Sequence, residues 1–157
     1  DIKGDKYSIH KYILHFFVMK NQILFLDTSD LKDTRLVLIG KDTIKQKSFP
    51  ANYSLSERFL PEILKFLSRN RLGFKNLAKL AVVVGPGSFS GLRTGLATAN
   101  ALSTALKIPL IGLRPSEAPE DLRKLWRSTS SFRPIHPNYG RAPHITHAIK
   151  VLKQRKR

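Results

Sequence analysis

The residues of this sequence best arranged for chemistry lie in LAVVVGPGSFSGLRTGLATANALSTAL, from Leu80 to Leu106. Gly85, Gly87, Ser88, Gly91 and Arg93 combine a glycine-rich turn, a hydroxyl and a cation ahead of a helical pattern. Such a turn presents free N–H groups and the positive end of the helix macrodipole, so it can bind an anion. The common phosphate motifs are not met. Gly85, Gly87 and Gly91 give GxGxxxG rather than GxGxxG, and no Lys-Ser or Lys-Thr follows Gly91. The plainer alternative is a capped turn that starts a helix, with Ser88 or Ser90 accepting from its first amides. Pro86 has no N–H, and Gly85 and Gly87 suit the positive φ that tight strand-to-helix turns often need.

Other candidate groups are sparse. Asp27, at the end of QILFLD and before Thr28-Ser29-Asp30, either faces a ligand or caps its own turn; without a second acid beside it, the capping role is favoured. Glu57 and Arg58 open a helical stretch, but a lone Glu has no partner acid, His or metal ligand nearby for catalysis. His144 and His147 are three apart with no carboxylate or third histidine, so no metal site is expected. The absence of cysteine excludes a disulfide framework, a thiolate metal site and a cysteine nucleophile.

The elements that must position these groups alternate strand and helix. Gln22 to Asp27, Thr34 to Ile39 and Thr43 to Phe49 read as three antiparallel strands, the last two joined through Gly40-Lys41-Asp42. Ser54 and Glu57 have capping-box spacing ahead of a helix with Phe59, Leu60, Ile63, Leu64 and Leu67 at helical intervals, which Pro61 should kink. Arg69 to Lys79 reads as a polar connection into a buried strand at Ala81 to Val84. In the second helix Leu92, Leu96, Ala99, Leu102 and Leu106 form one stripe, and Gly91 and Gly95 leave a bare patch for another backbone. Pro109 to Gly112 reads as one more short strand, and Leu122 to Trp126 as a short helix followed by loop.

The chain has 157 residues, 41% of them hydrophobic and 25% charged, enough for one soluble domain with a real core. Its net charge of +17 favours a polyanion or an acidic partner surface. The charge is uneven: residues 114–157 carry 11 basic and 3 acidic side chains, the same +8 as the much longer span 19–113. The closing VLKQRKR is a basic tail of the kind that is usually solvated. The one methionine is Met19, so residues 1–18 read as an upstream extension to be left out of fold reasoning. Tyr12 to Met19 is too short an apolar run to span a bilayer, and no membrane association is expected.

GPGSFSGLRTGLATANAL resembles the signature of the TsaB (YeaZ) family, with Ser90 and Thr94 standing where that family usually has Thr and Ile. The resemblance extends to ILFLDTS at Ile23 to Ser29, SERFLPEI at Ser56 to Ile63 and KIPLIGL at Lys107 to Leu113, in the right order. PNYGRAPHIT, from Pro137 to Thr146, is similar to the family's C-terminal segment. This implies an α/β fold, a ribonuclease-H-like N-terminal domain of the actin-like ATPase superfamily, over 19–113. Residues 114–157 would then be the remnant of a truncated second domain plus the tail, with about a hundred residues missing by ordinary domain size.

The function implied by the resemblance is that of a non-catalytic, cytoplasmic partner of the TsaD subunit. TsaD transfers a threonylcarbamoyl group to an adenosine of tRNA, and the TsaE ATPase joins the assembly. The chain would have no cofactor of its own, would meet ATP or ADP at the interface of the complex and tRNA through it, and is also compatible with a homodimer. The pairing surface would use Glu57, Arg58, Leu60, Pro61 and Leu64 of the first helix and Leu92, Gly95, Leu96 and Ala99 of the second. It requires both helices on one side of the sheet. Two alternatives remain open: a TsaD-like transferase or actin-like ATPase on the same fold, and a basic RNA-binding module. The first lacks the paired histidines that TsaD carries on the helix matching SERFLPEI. The second lacks an evident platform of aromatic residues beside basic ones.

Overall fold

The computed structural model describes residues 20–117 and 121–140. The metal question at His144 and His147, the extension 1–18 and the tail VLKQRKR lie outside these residues. Five strands form one sheet in the order β3-β2-β1-β4-β5: β1 Gln22–Asp27, β2 Asp33–Ile39, β3 Ile44–Pro50, β4 Leu77–Val83 and β5 Leu110–Leu113. β2 runs antiparallel to both of its neighbours, with Phe25 of β1 opposite Val37 and Val37 opposite Gln46 of β3, whereas β4 and β5 run parallel to β1. Two helices, α1 Leu55–Arg69 and α2 Phe89–Leu106, supply the crossovers that parallel strands require.

Side chains alternate across each strand, so the sheet has two apolar faces. Leu24, Leu26, Leu36, Leu38, Leu80, Val82 and Leu110 face one way and meet Phe59, Ile63 and Leu67 of α1 and Leu92, Leu96 and Ala99 of α2. Both helices therefore cover the same face, as the pairing reading requires. Ile23, Phe25, Val37, Ile39, Ala81, Val83 and Ile111 face the other way, where Leu122, Leu125 and Trp126 pack on them. At 25 cal/mol for each Å² removed from water, a fully buried Leu or Phe stabilises by about 2 kcal/mol, so these two layers supply most of the driving force for folding.

Two local expectations change. The polar connection proposed for Arg69 to Lys79 ends early: Phe74–Asn76 is a 3-10 turn and β4 begins at Leu77, which is fully buried. A register shift between Gln22 and Ile23 is what lets Leu77 and Leu80, three apart, both join the helix-covered core. The capping box does not close: the Ser54 side chain accepts from no helix amide, and its hydroxyl donates to Asn52 Oδ1 at 2.9 Å. Its main-chain carbonyl still accepts from the Glu57 and Arg58 amides at 3.1 Å. Pro61 sits within the continuous helix α1 on its exposed side, where the missing N–H leaves the Glu57 carbonyl to water.

After β5 the chain folds back on the same sheet. Leu122–Trp126 is a 3-10 turn rather than an α-helix, its first amides capped by Asp121, which accepts from Arg123 N–H at 3.0 Å. Lys79 Nζ donates to the Trp126 carbonyl at 3.0 Å and so ties this turn to β4. Ser131 exchanges two main-chain hydrogen bonds with Leu110 of β5, at 2.8 and 3.1 Å. The Asn100 amide of α2 bonds both main-chain groups of Ile135, at 2.8 and 2.9 Å. The described part of 114–157 is thus packed against the five-stranded domain.

Candidate functional site

The glycine-rich turn leaves β4 at Val84 and enters α2 at Phe89. Gly85 has φ +108°, a conformation that L side chains rarely adopt, and its peptide to Pro86 is cis. Gly87 does not take a positive φ; its requirement is space, since a Cβ there would come 2.5 Å from the Ser29 carbonyl oxygen. Of the two candidate caps Ser88 is the one used: its Oγ accepts from Gly91 N–H at 3.2 Å, and its own N–H donates to Ser29 O at 2.7 Å. Asn138 N–H donates to Val84 O at 2.7 Å, so the segment PNYG closes over the turn from the other side. The spaces beside Gly85 and Gly87 are filled by the main chain of Asn138 and Ser29, which accounts for both glycines by chain packing. Arg93 lies over the Phe89 ring, 5.5 Å from its centroid, and Phe89 packs in turn on Tyr139 at 4.5 Å between ring centroids.

Gly91 and Gly95 do admit another backbone, and it is the chain's own. A Cβ on Gly91 would overlap the Thr28 carbonyl oxygen, and one on Gly95 would overlap Thr28 Oγ1. The end of β1 is thereby pressed against α2. Asp27, beside it, is engaged with its own turn: Oδ1 accepts from Ser29 N–H at 3.1 Å and from Ser29 Oγ at 2.6 Å, and Oδ2 lies 3.6 Å from Arg35. The turn-capping role read from the sequence is the one the structure has.

The pairing surface needs correction on α2. Leu92 and Ala99 are fully buried, Leu96 is 2% exposed and Gly95 is covered by Thr28, so these four residues face the sheet and cannot meet a partner. The apolar stripe was spent on the chain's own core. On α1 the outcome differs: Phe59 and Ile63 are inside, while Leu60 and Leu64 are 41% and 46% exposed, with Glu57 and Pro61 exposed beside them and Arg58 half-buried. Leu60 and Leu64 are one turn apart and form a second apolar row that the sheet does not use.

The outward side of α2 carries what the stripe argument missed. Ser56 of α1 and Ser90, Arg93, Thr94, Ala97 and Thr98 of α2 line a shallow channel between the helices. It adjoins a groove of about 460 Å³ bounded by Leu31, Tyr53, Ser56, Ser88 and Ser90, with Leu31 and Tyr53 strongly exposed. The signal available in the sequence was the complement of the stripe: small and polar residues at 90, 94, 97 and 98 on the face opposite Leu92, Leu96 and Ala99.

Glu62 holds α1 against the outermost strand. Its carboxylate is hydrogen-bonded to Lys47 of β3 and lies 3.5 Å from Lys65 Nζ. The bond from Lys47, reinforced by the charges of Lys47 and Lys65, outweighs partial desolvation and keeps Glu62 below the ordinary glutamate range. Asp30 is likewise lowered by the Lys32 and Asp33 amides that it accepts in the β1–β2 turn. No helix among the described residues is long and apolar enough to cross a membrane.

Comparison with known proteins bears on this helical face directly. The family described as TsaD, tRNA N6-adenosine threonylcarbamoyltransferase, matches residues 50–118, a span containing both helices and the glycine-rich turn. The tRNA threonylcarbamoyladenosine biosynthesis protein TsaB of Buchnera aphidicola subsp. Schizaphis graminum is 33% identical over 95 residues, covering 60% of this chain and 45% of that protein. The tRNA N6-adenosine threonylcarbamoyltransferase of Campylobacter jejuni is 32% identical over 107 residues, covering 59% of this chain and 32% of that protein. Among solved structures, YeaZ from Pseudomonas aeruginosa superposes with a TM-score of 0.56 at 22% identity, over 60% of this chain and 44% of that one, which shows a shared fold. The chain spans less than half the length of these relatives, and over its α/β domain it is similar to the TsaB (YeaZ) proteins.

Proposed function

We propose that this chain is an accessory subunit that pairs with a TsaD-like catalytic subunit and supports threonylcarbamoyl transfer to an adenosine of tRNA, with no reaction centre of its own. The observation that carries this reading is the second apolar row of α1. Leu60 and Leu64 stand exposed on the same side of the sheet as the small, polar outer face of α2, within the residues that match the family. Two neighbouring helices that expose a leucine row beside small residues offer a partner helix both apolar area and close approach. In this reading a TsaE-like ATPase joins the assembly, ATP or ADP binds at the junction of the complex, tRNA is met through the catalytic subunit, and the site of action is the cytoplasm.

The test is co-purification of the full chain with a TsaD-like subunit. A Leu60→Glu and Leu64→Glu double variant that stays folded should lose the complex; retention of the complex by that variant would overturn the assignment. Self-association of the chain through the same row would show a homodimer in its place. The match of residues 50–118 to a transferase family favours one second reading, a catalytic role for this chain itself. Threonylcarbamoyl transfer by the chain alone would establish it.

A further inference from the structure

Away from the two helices, a cleft of about 630 Å³ is walled by three stretches that are distant in sequence. Lys20 precedes β1, Lys41 lies in the β2–β3 turn, and Arg123, Lys124 and Arg127 come from the 3-10 turn after β5 and its cap. Trp126, the one tryptophan of the chain, forms part of the same wall. Trp126 is also partly buried against the core layer that contains Phe25 and Val83, and Lys79 holds its main-chain carbonyl, so the residue is anchored to the sheet. Among the described residues that line the cleft the one carboxylate is Asp121, which caps the turn and lies 3.8 Å from Arg123. Among the described residues Lys20, Lys41, Lys124 and Arg127 have no ion-pair partner.

Cations gathered in a concave site repel one another unless a polyanion neutralises them, and a low-dielectric wall focuses their field. We propose that this cleft binds a single-stranded polynucleotide, its phosphates on the lysines and arginines and a base against the Trp126 indole. Basic grooves with an aromatic plane set among the charges are what unpaired strands use, because a base in a single strand has a free face and a base in a duplex has none. The volume falls in the range of about 300–1,000 Å³ that holds a nucleotide-sized ligand. An acidic polypeptide would use the cations but not the indole, and a lipid surface would want a protruding apolar edge rather than a walled cleft. The proposal stands apart from the pairing role, since it concerns different residues and needs no partner subunit.

Because Trp126 is the only tryptophan, its fluorescence reports on this cleft alone. Titration of the full chain with a short oligouridylate should quench that emission saturably. The logarithm of the affinity should fall against the logarithm of salt with a slope of about −3, as expected for roughly four phosphates on a single strand. A Lys124→Ala and Arg127→Ala double variant should halve that slope and weaken binding about tenfold at low salt. If circular dichroism shows that this variant has not folded, Lys41→Ala in the exposed turn replaces it, with the slope reduced by about 0.7. Trp126→Phe keeps an aromatic face and should retain binding within about threefold, read by anisotropy of a labelled oligonucleotide. Absence of quenching overturns the proposal. So does unchanged affinity in the folded charge variants, which would place binding on the basic tail or elsewhere. Equal quenching by poly-glutamate would make the cleft a site for acidic polypeptides instead.

Discussion

Helices α1 and α2 lie side by side on one face of the sheet, yet they divide their surfaces differently. α2 buries Leu92, Leu96, Ala99 and Leu102 of its apolar stripe, with Leu106 partly covered, and also gives up Gly91 and Gly95 to the end of β1, so its inner face is committed to the chain's own fold. α1 buries Phe59, Ile63, Phe66 and Leu67 and still has Leu60 and Leu64 in water. An apolar stripe therefore measures what a helix must bury, not against whom. Only the surplus row, the one left after the sheet is covered, is available to another chain.

This contrast can be broken most forcefully on the inner side. Leu96→Ala should cost about 2–5 kcal/mol, as for other buried leucines, measured by urea unfolding. Leu96→Arg should prevent folding outright, so it cannot serve as a probe of pairing. Gly91→Ala is the sharper test. At an ordinary helix position this change stabilises by up to about 1 kcal/mol, but here the new Cβ meets the Thr28 carbonyl, and the expected outcome is a loss of about 1–3 kcal/mol. A gain would show that β1 and α2 are not in the close contact described.

At the boundary between the two sides stands Glu62. Glu62→Gln should destabilise by about 1 kcal/mol near neutral pH, since it replaces a charge-assisted bond to Lys47 by a neutral one. The folded-state pKa is lowered, so the stabilisation is fully present above the unfolded glutamate range and is lost as the pH falls through the folded value. The stability difference between Glu62→Gln and the unaltered chain should therefore close in acid. The smallest effect is expected on the outer row. Leu60→Ser and Leu64→Ser should each change stability by less than about 0.5 kcal/mol, while in the pairing assay they should act as strongly as any substitution on the surface.

Much of the fold was legible because burial on both faces leaves a plain mark. Ile23 to Leu26 and Ala81 to Val83 contain no polar residue, and each proved to be a central strand. The β2–β3 hairpin and both helices follow from turn residues and periodicity. The candidate site was legible only in part. On α1 two apolar rows are adjacent, and periodicity does not say which one the sheet takes. On α2 the stripe was read as a pairing surface although it was the only face the helix could offer the sheet. The capping box did not form: the Ser54 hydroxyl donates to Asn52 Oδ1 and accepts from no helix amide, an arrangement that the S-x-x-E spacing does not reveal. Trp126 looked like part of an isolated short helix; its meeting with Lys20 and Lys41 depends on the chain returning after β5, which no local pattern announces.

The pairing of Ser131 with Leu110 has a consequence for how this molecule can associate at all. A sheet with a bare margin invites a foreign strand to extend it. One margin here is occupied by the chain's own return, and the other, β3, displays Lys45 and Lys47 and ends in Pro50, all unfavourable to an incoming strand. Lateral growth into ribbons is disfavoured at both borders, so among the described residues it is the helical and cleft surfaces that stand open to other macromolecules.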